Sequence, residues 1–214
     1  MNTIPRPNDT ILFQGDSITN AFRMPDEINN SYQMGAGYAL LIAAHLLATR
    51  PGDQLRFINR GISGNRLADL LTRWQTDCID LKPTVLSLLI GINDTMHAMG
   101  GAADASAAGY ARDYRKLLEW TRRELPEVRL VLCEPFTLVA GNVTPAWRED
   151  LAPRQQAVRQ LACEFDAVFV PLQQLFDDAC KKAPAEYWIY DGIHPTAAGA
   201  GLLARQWLTT VTAS

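Results

Sequence analysis

Five short apolar runs punctuate the 214-residue chain, and the stretches between them place apolar residues three or four positions apart. The runs are "TILFQ" from Thr10, "LRFIN" from Leu55, "TVLSLLI" from Thr84, "VRLVLCE" from Val128 and "AVFVP" from Ala167. Each is nearly continuous in hydrophobicity. That pattern predicts strands buried on both faces, as in a parallel sheet, rather than the in-out alternation of a half-solvated antiparallel one.

The intervals read as helices. "GYALLIAAHLLATR" runs up to Pro51 and Gly52, a stop signal. In "NRLADLLTRWQTDCIDL", Leu67, Leu70, Leu71, Trp74 and Cys78 form one apolar stripe. "DYRKLLEWTRREL" and "RQQAVRQLACEF" repeat the pattern, and "TAAGAGLLARQWLTTV" starts at Thr196, a residue suited to an N-cap. Regular strand-helix alternation predicts one α/β domain over residues 1–214, with helices on both faces of the sheet. Two stretches break the rhythm: 97–109, rich in Ala, Gly and Ser, and 136–150, longer than an αβ unit needs. Both follow strands, so both are expected as loops at the carboxyl edge of the sheet, where open α/β folds bind ligands.

Composition narrows the class. Hydrophobic residues make up 48%, charged residues 20%, and the formal net charge is −3, the profile of a folded chain rather than a disordered one. A mildly acidic chain without a Lys/Arg run offers no electrostatic reason to bind nucleic acid or an anionic membrane. "YALLIAAHLLA" is too short to span a bilayer, and "MNTIPRPNDT" lacks the apolar core of a signal peptide. Cys78, Cys133, Cys163 and Cys180 form no CxxC pair, so reduced and mostly buried thiols in a cytoplasmic protein are expected.

The polar residues that carry chemistry gather after the strands. "GDSITN" (15–20) follows the first, "NRGISGN" (59–65) the second and "GIND" (91–94) the third; "DGIHPT" (191–196) precedes the last helix. Four segments remote in sequence are thus expected on one rim. A serine hydroxyl becomes a nucleophile when an imidazole takes its proton and a carboxylate orients that imidazole. Ser17, His194 and Asp191 supply the three types. Attack on an ester also creates an oxyanion that needs preorganised donors. The backbone N–H of Gly64, the side-chain amide of Asn93 and the N–H of Ser17 itself are candidates.

Together, "GDSIT", "GISGN", "GIND" and "DGIHPT" resemble the SGNH (GDSL-type) hydrolase family, in the branch of acetylxylan and other carbohydrate acetyl esterases. The blocks extend from residue 15 to 196, nearly the whole chain. The resemblance implies a three-layer, flavodoxin-like α/β/α sandwich on a five-stranded parallel sheet. It also implies Ser17 as nucleophile, His194 as base and Asp191 as its partner, with Ser17, Gly64 and Asn93 forming the oxyanion hole. The implied substrate is a small ester, an acetylated sugar, and no metal or organic cofactor is required. Ile18 departs from the eponymous Leu, a packing change. Thr95 and Met96 stand where relatives often carry an aromatic residue, which leaves the acyl acceptor open. Nothing in the sequence fixes an oligomeric state; the resemblance alone allows a homo-oligomer.

Plainer roles stand beside these. Asp16 and Asp94 suit local backbone capping. His45 reads as a partly buried structural residue and His97 as a solvated loop histidine. Trp188 and Tyr190 offer either a platform for a sugar ring or packing beneath the Asp191 loop; Arg23 and Trp147 are weaker candidates. "GAGY" (35–38) is half a dinucleotide fingerprint with no strand close before it. Three functions remain in competition: the serine esterase, including its lipase or thioesterase variants; a metal-dependent phosphoesterase using Asp16, Asn93, Asp94, His97, Asp191 and His194; and a non-catalytic carbohydrate-binding module.

Overall fold

The five apolar runs form one parallel sheet in the computed structural model, which describes residues 4–24 and 31–212. Residues 1–3, part of the N-terminal stretch read above, lie outside the described residues. The strands are β1 (Thr10–Gly15), β2 (Arg56–Asn59), β3 (Val85–Leu89), β4 (Arg129–Cys133) and β5 (Val168–Val170), in the order β2-β1-β3-β4-β5. The helices are α1 (Ser17–Asn20), α2 (Tyr38–Thr49), α3 (Leu67–Asp77), α4 (Ile92–Met99), α5 (Ala107–Glu124), α6 (Pro145–Glu164), α7 (Gln173–Ala179), α8 (Ala185–Trp188) and α9 (Ala197–Thr212). This is the predicted α/β sandwich. The strand order reverses between β1 and β3, the switch point at which open α/β sheets leave a crevice.

Alternation along each strand divides the apolar side chains between two layers. Ile11, Phe13, Val85, Leu89, Val131, Cys133 and Val170 pack against α2 and α9. Leu12, Leu86, Leu88, Leu130 and Leu132 face the other way, onto α3, α5 and α6. Each layer buries a paired indole. The Trp207 indole N–H of α9 donates to Ser87 Oγ at 3.0 Å, and the Trp74 indole N–H of α3 donates to Thr121 Oγ1 at 2.9 Å. Trp74→Phe removes that donor and part of the ring from a fully buried site. Urea unfolding is expected to register a loss of about 2–4 kcal/mol from the void and from the missing donor, since Thr121 Oγ1 keeps only the bond it donates to the Leu117 carbonyl.

Three helix boundaries differ from the sequence reading. The stretch 97–109 is not one loop: α4 covers its start, and α5 begins at Ala107, where Ser106 Oγ accepts the Gly109 N–H at 3.1 Å. His97 therefore sits on the exposed last turn of α4 rather than in a loop. Helix α6 begins at Pro145, nine residues before Arg154, because proline at the first helical position lacks only an N–H that has no partner there anyway. His45 is exposed on the outer face of α2, not partly buried. The rest of 136–150 is no free lid: Phe136, Thr137, Leu138, Ala140 and Val143 are all buried. Among the four cysteines, all free, only Cys78 and Cys133 are buried; Cys163 is exposed and Cys180 lies between.

Candidate active site

The carboxyl end of β1 is crowded enough to admit only glycine. A Cβ on Gly15 would sit 2.2 Å from the Leu89 carbonyl oxygen of β3 and 2.4 Å from Thr19 Oγ1. The bare backbone lets the chain turn at once into α1, so Ser17 stands at the first position of a short helix above the switch point. Asp16 caps that helix, its Oδ1 accepting the Ile18 N–H at 3.0 Å.

The last loop folds over the same rim. Ile189 and Pro195 form an antiparallel bridge, the Tyr190 N–H donates to the His194 carbonyl at 3.2 Å, and Thr196 Oγ1 caps α9 through the Gly199 N–H at 3.2 Å. From below, Thr137 Oγ1 and the Leu138 N–H both donate to the Gly192 carbonyl, at 2.6 and 3.1 Å. The 136–144 connection thus buttresses the loop. Thr137 was not legible as a site residue, because an isolated Thr in a loop carries no motif.

Within this loop one carboxylate does two jobs. Asp191 Oδ1 accepts the N–H groups of Ile193 (2.9 Å) and His194 (2.7 Å), while Oδ2 lies 2.6 Å from His194 Nδ1. Burial pushes the Asp191 carboxyl up, but the hydrogen bonds from the His194 backbone and ring and from Ile193 outweigh it and hold the group below the usual carboxylate range. A carboxylate on Nδ1 leaves Nδ1 protonated and Nε2 free as an acceptor. His194 Nε2 is 2.9 Å from Ser17 Oγ, across a separation of 177 residues. Hydroxyl, imidazole and carboxylate are in line.

The other predicted residues gather less uniformly. Asn93, in the first turn of α4, is buried, and one hydrogen of its amide donates to the Asn65 carbonyl at 3.0 Å. Gly64 adopts φ +82° in an exposed loop where a Cβ would touch nothing, so its backbone conformation rather than space selects glycine. Tyr190 is exposed and its ring stacks on His194, centroids 5.8 Å apart at 19°. Trp188 points elsewhere: its indole N–H donates to the Ala179 and Ala183 carbonyls. A cavity of about 420 Å³ opens beside Ser17 and His194, walled mainly by Ile18, Ala21, Phe22, Tyr38, Tyr190 and Ala200.

Two acids lie beneath. Burial pushes Asp16 up to about 7 and Asp94 up to about 6. Asp94 also reaches beyond its own backbone: its Oδ2 accepts the N–H of Leu67 at 3.3 Å, capping α3 across space. Among the described residues no three His, Cys, Asp or Glu side chains are arranged to hold a metal ion, and no helix is long and apolar enough to cross a membrane.

A family model described as "GDSL-like Lipase/Acylhydrolase family" matches residues 13–202. The chain belongs to that family. This acylhydrolase is 32% identical over 206 residues to the acetylxylan esterase of Geobacillus stearothermophilus, covering 95% of this chain and 94% of that one. A structure of a variant of an acetyl xylan esterase from the same organism superposes with a TM-score of 0.88 at 30% identity, over 96% of this chain and 95% of that one. The structure of a protein assigned as a GDSL-like lipase, from Parabacteroides merdae ATCC 43184, superposes with a TM-score of 0.94 at 40% identity, over 98% of both chains. Structures of the Geobacillus esterase include catalytic mutants in which a serine, an aspartate or a histidine is replaced by alanine. The acylhydrolase described here is a carboxylic ester hydrolase with a Ser-His-Asp triad.

Proposed function

We propose that this esterase removes short acyl groups, acetyl above all, from an acetylated carbohydrate or a similar small ester, with Ser17 as nucleophile. One observation carries the reading: the unbroken line Ser17 Oγ–His194 Nε2 at 2.9 Å and His194 Nδ1–Asp191 Oδ2 at 2.6 Å. Ser17 Oγ attacks the ester carbonyl carbon as His194 Nε2 takes its proton, and Asp191 stabilises the imidazolium that results. The carbonyl oxygen, now an anion, accepts from the N–H groups of Ser17 and Gly64 and from the Asn93 amide. The Ser17 N–H is suited to this because the first N–H groups of a helix have no intrahelical acceptor. Asn93 keeps a second amide hydrogen for the anion once the first is on Asn65. Collapse breaks the bond to the alcohol oxygen, to which His194 returns the proton. Water activated by the same imidazole then releases the acid.

Tyr190, exposed and stacked on His194 at the mouth of the cavity, is our candidate for the face that meets a sugar ring. Trp188 is assigned to packing. The similarity to an acetylxylan esterase over nearly the full length supports acetyl as the acyl group. The apolar walls of the cavity favour, as a second reading, an acyl chain longer than acetyl or an apolar leaving group.

The test is a panel of 4-nitrophenyl esters from acetyl to octanoyl beside acetylated xylo-oligosaccharides. Turnover is expected to peak at acetyl and to vanish in Ser17→Ala. A maximum at long chains would replace the acetyl reading with a lipase or thioesterase, and full activity in Ser17→Ala would remove the nucleophile. We also place the enzyme in the cytoplasm, since four free thiols, one of them exposed, suit a reducing compartment. Fractionation of the source cells tests this.

A further inference from the structure

Arg73, on α3, has a side chain only 13% exposed that aims at the switch point. Its Nε donates to Asn65 Oδ1 at 2.8 Å. Its Nη1 lies 3.1 Å from Gln14 Oε1, 3.0 Å from the Arg60 carbonyl and 2.9 Å from Asp77 Oδ2. Its Nη2 lies 3.4 Å from the Gly15 carbonyl. One planar cation therefore touches the end of β1 just before Asp16 and Ser17, the segment leaving β2, and the loop beyond Gly64.

The last of these contacts reaches further. Asn65 is the residue after Gly64, and its carbonyl accepts the Asn93 amide hydrogen at 3.0 Å. The same loop is tied to β1 by the Ile62 N–H donating to the Gly15 carbonyl at 3.1 Å. The three groups assigned above to the oxyanion hole thus stand on three chain segments, after β1, β2 and β3. Arg73 bonds two of those segments directly and meets the third through Asn65.

We infer that Arg73 is a positioning residue for the oxyanion hole, holding the Gly64 N–H and the Asn93 amide in register with Ser17; this rests on the hole proposed above. A fork of five N–H donors in one plane suits the task, since a lysine ammonium could satisfy only part of this set. Burial draws the guanidinium below its ordinary value, and the Asp77 carboxylate, four residues on along α3, opposes the shift. Preorganised donors act on the transition state, so misplacing them lowers kcat and leaves ground-state binding almost unchanged.

The test compares Arg73→Lys, Asn93→Ala and the double variant on 4-nitrophenyl acetate. Rates are taken per site titrated by diethyl 4-nitrophenyl phosphate, so that misfolded chains do not count. Arg73→Lys is expected to lower kcat by between about 10- and 100-fold, the scale of a small displacement of a catalytic group, with KM within about twofold. Asn93→Ala is expected to lower kcat by about 100-fold or more. If Arg73 acts through the hole, the double variant falls short of the product of the two losses by about tenfold or more. Wild-type kcat in Arg73→Lys, a loss confined to KM, or losses that multiply in the double variant would each overturn the proposal. An unimpaired Asn93→Ala would instead overturn the assignment of the hole, and the positioning role with it, while the nucleophile reading would stand or fall on Ser17→Ala alone.

Discussion

Asp191→Asn is expected to lower kcat on 4-nitrophenyl acetate by roughly 10³- to 10⁴-fold while leaving the fold intact. The reason lies in the two jobs of that side chain. Its Oδ1 holds the N–H groups of Ile193 and His194, and its Oδ2 faces His194 Nδ1. In the asparagine variant the amide oxygen stays on the two backbone donors, which leaves the NH₂ facing the ring. Nδ1 must then be the acceptor and Nε2 the protonated nitrogen, so the hydrogen bond to Ser17 reverses and the base has no lone pair to offer. His194→Ala removes the base altogether and is expected to lower kcat by about 10⁴- to 10⁶-fold. Because the two residues act as one unit, the double variant should fall no further than His194→Ala alone. Steady-state kinetics on titrated enzyme, with melting temperatures as the check on folding, decide the matter. Asp191→Asn within tenfold of the parent would show that a second group orients the imidazole.

The sequence is informative about the triad because the chemistry needs rare coincidences of residue type. The motifs at 15–20, 59–65, 91–94 and 191–196 each follow a strand or precede the last helix, and the topology carries them to one rim. The strands were legible for a physical reason: burial on both faces forces unbroken apolar runs, and four of the five runs contain their strands, the first stopping one residue short at Gln14. Helix starts were less legible. Ala107 and Pro145 open α5 and α6 with small residues and a proline that read as loop, and α6 continues through Pro153. Packing overrides propensity there: Leu151, Arg154 and Val158 are fully buried on that helix. His45 reads as partly buried because its neighbours in sequence are apolar, whereas α2 turns Leu41, His45 and Leu47 to solvent. Long-range polar contacts were not legible at all. No local pattern announces that Asp94 caps α3, that Thr137 holds Gly192, or that Arg73 spans three segments, since each depends on which elements the fold makes neighbours.

Raising the pH from 5 to 8 is expected to destabilise this fold, and Asp16→Asn is expected to abolish most of that loss. Asp16 is buried, its Oδ1 caps Ile18, and its Oδ2 has no hydrogen-bond partner among the described residues. Burial therefore disfavours the ionised form and lifts the group from 3.8 to about 7; Asp94 rises in the same way to about 6. A carboxyl raised in the folded state binds its proton more tightly there than in the unfolded chain. Its stabilising contribution is complete below the unfolded value and disappears as pH rises through the folded one. Over the interval from pH 5 to 8 that amounts to roughly 3 kcal/mol from Asp16 and roughly 1 kcal/mol from Asp94. Asparagine keeps an oxygen for the Ile18 N–H but leaves a buried NH₂ unpaired, a pH-independent cost of about 1–3 kcal/mol. The two stability curves should therefore converge or cross: the variant weaker at pH 5, and equal to or stronger than the parent at pH 8. Urea unfolding at half-unit pH steps measures both curves, and parallel curves would mean that Asp16 is ionised throughout.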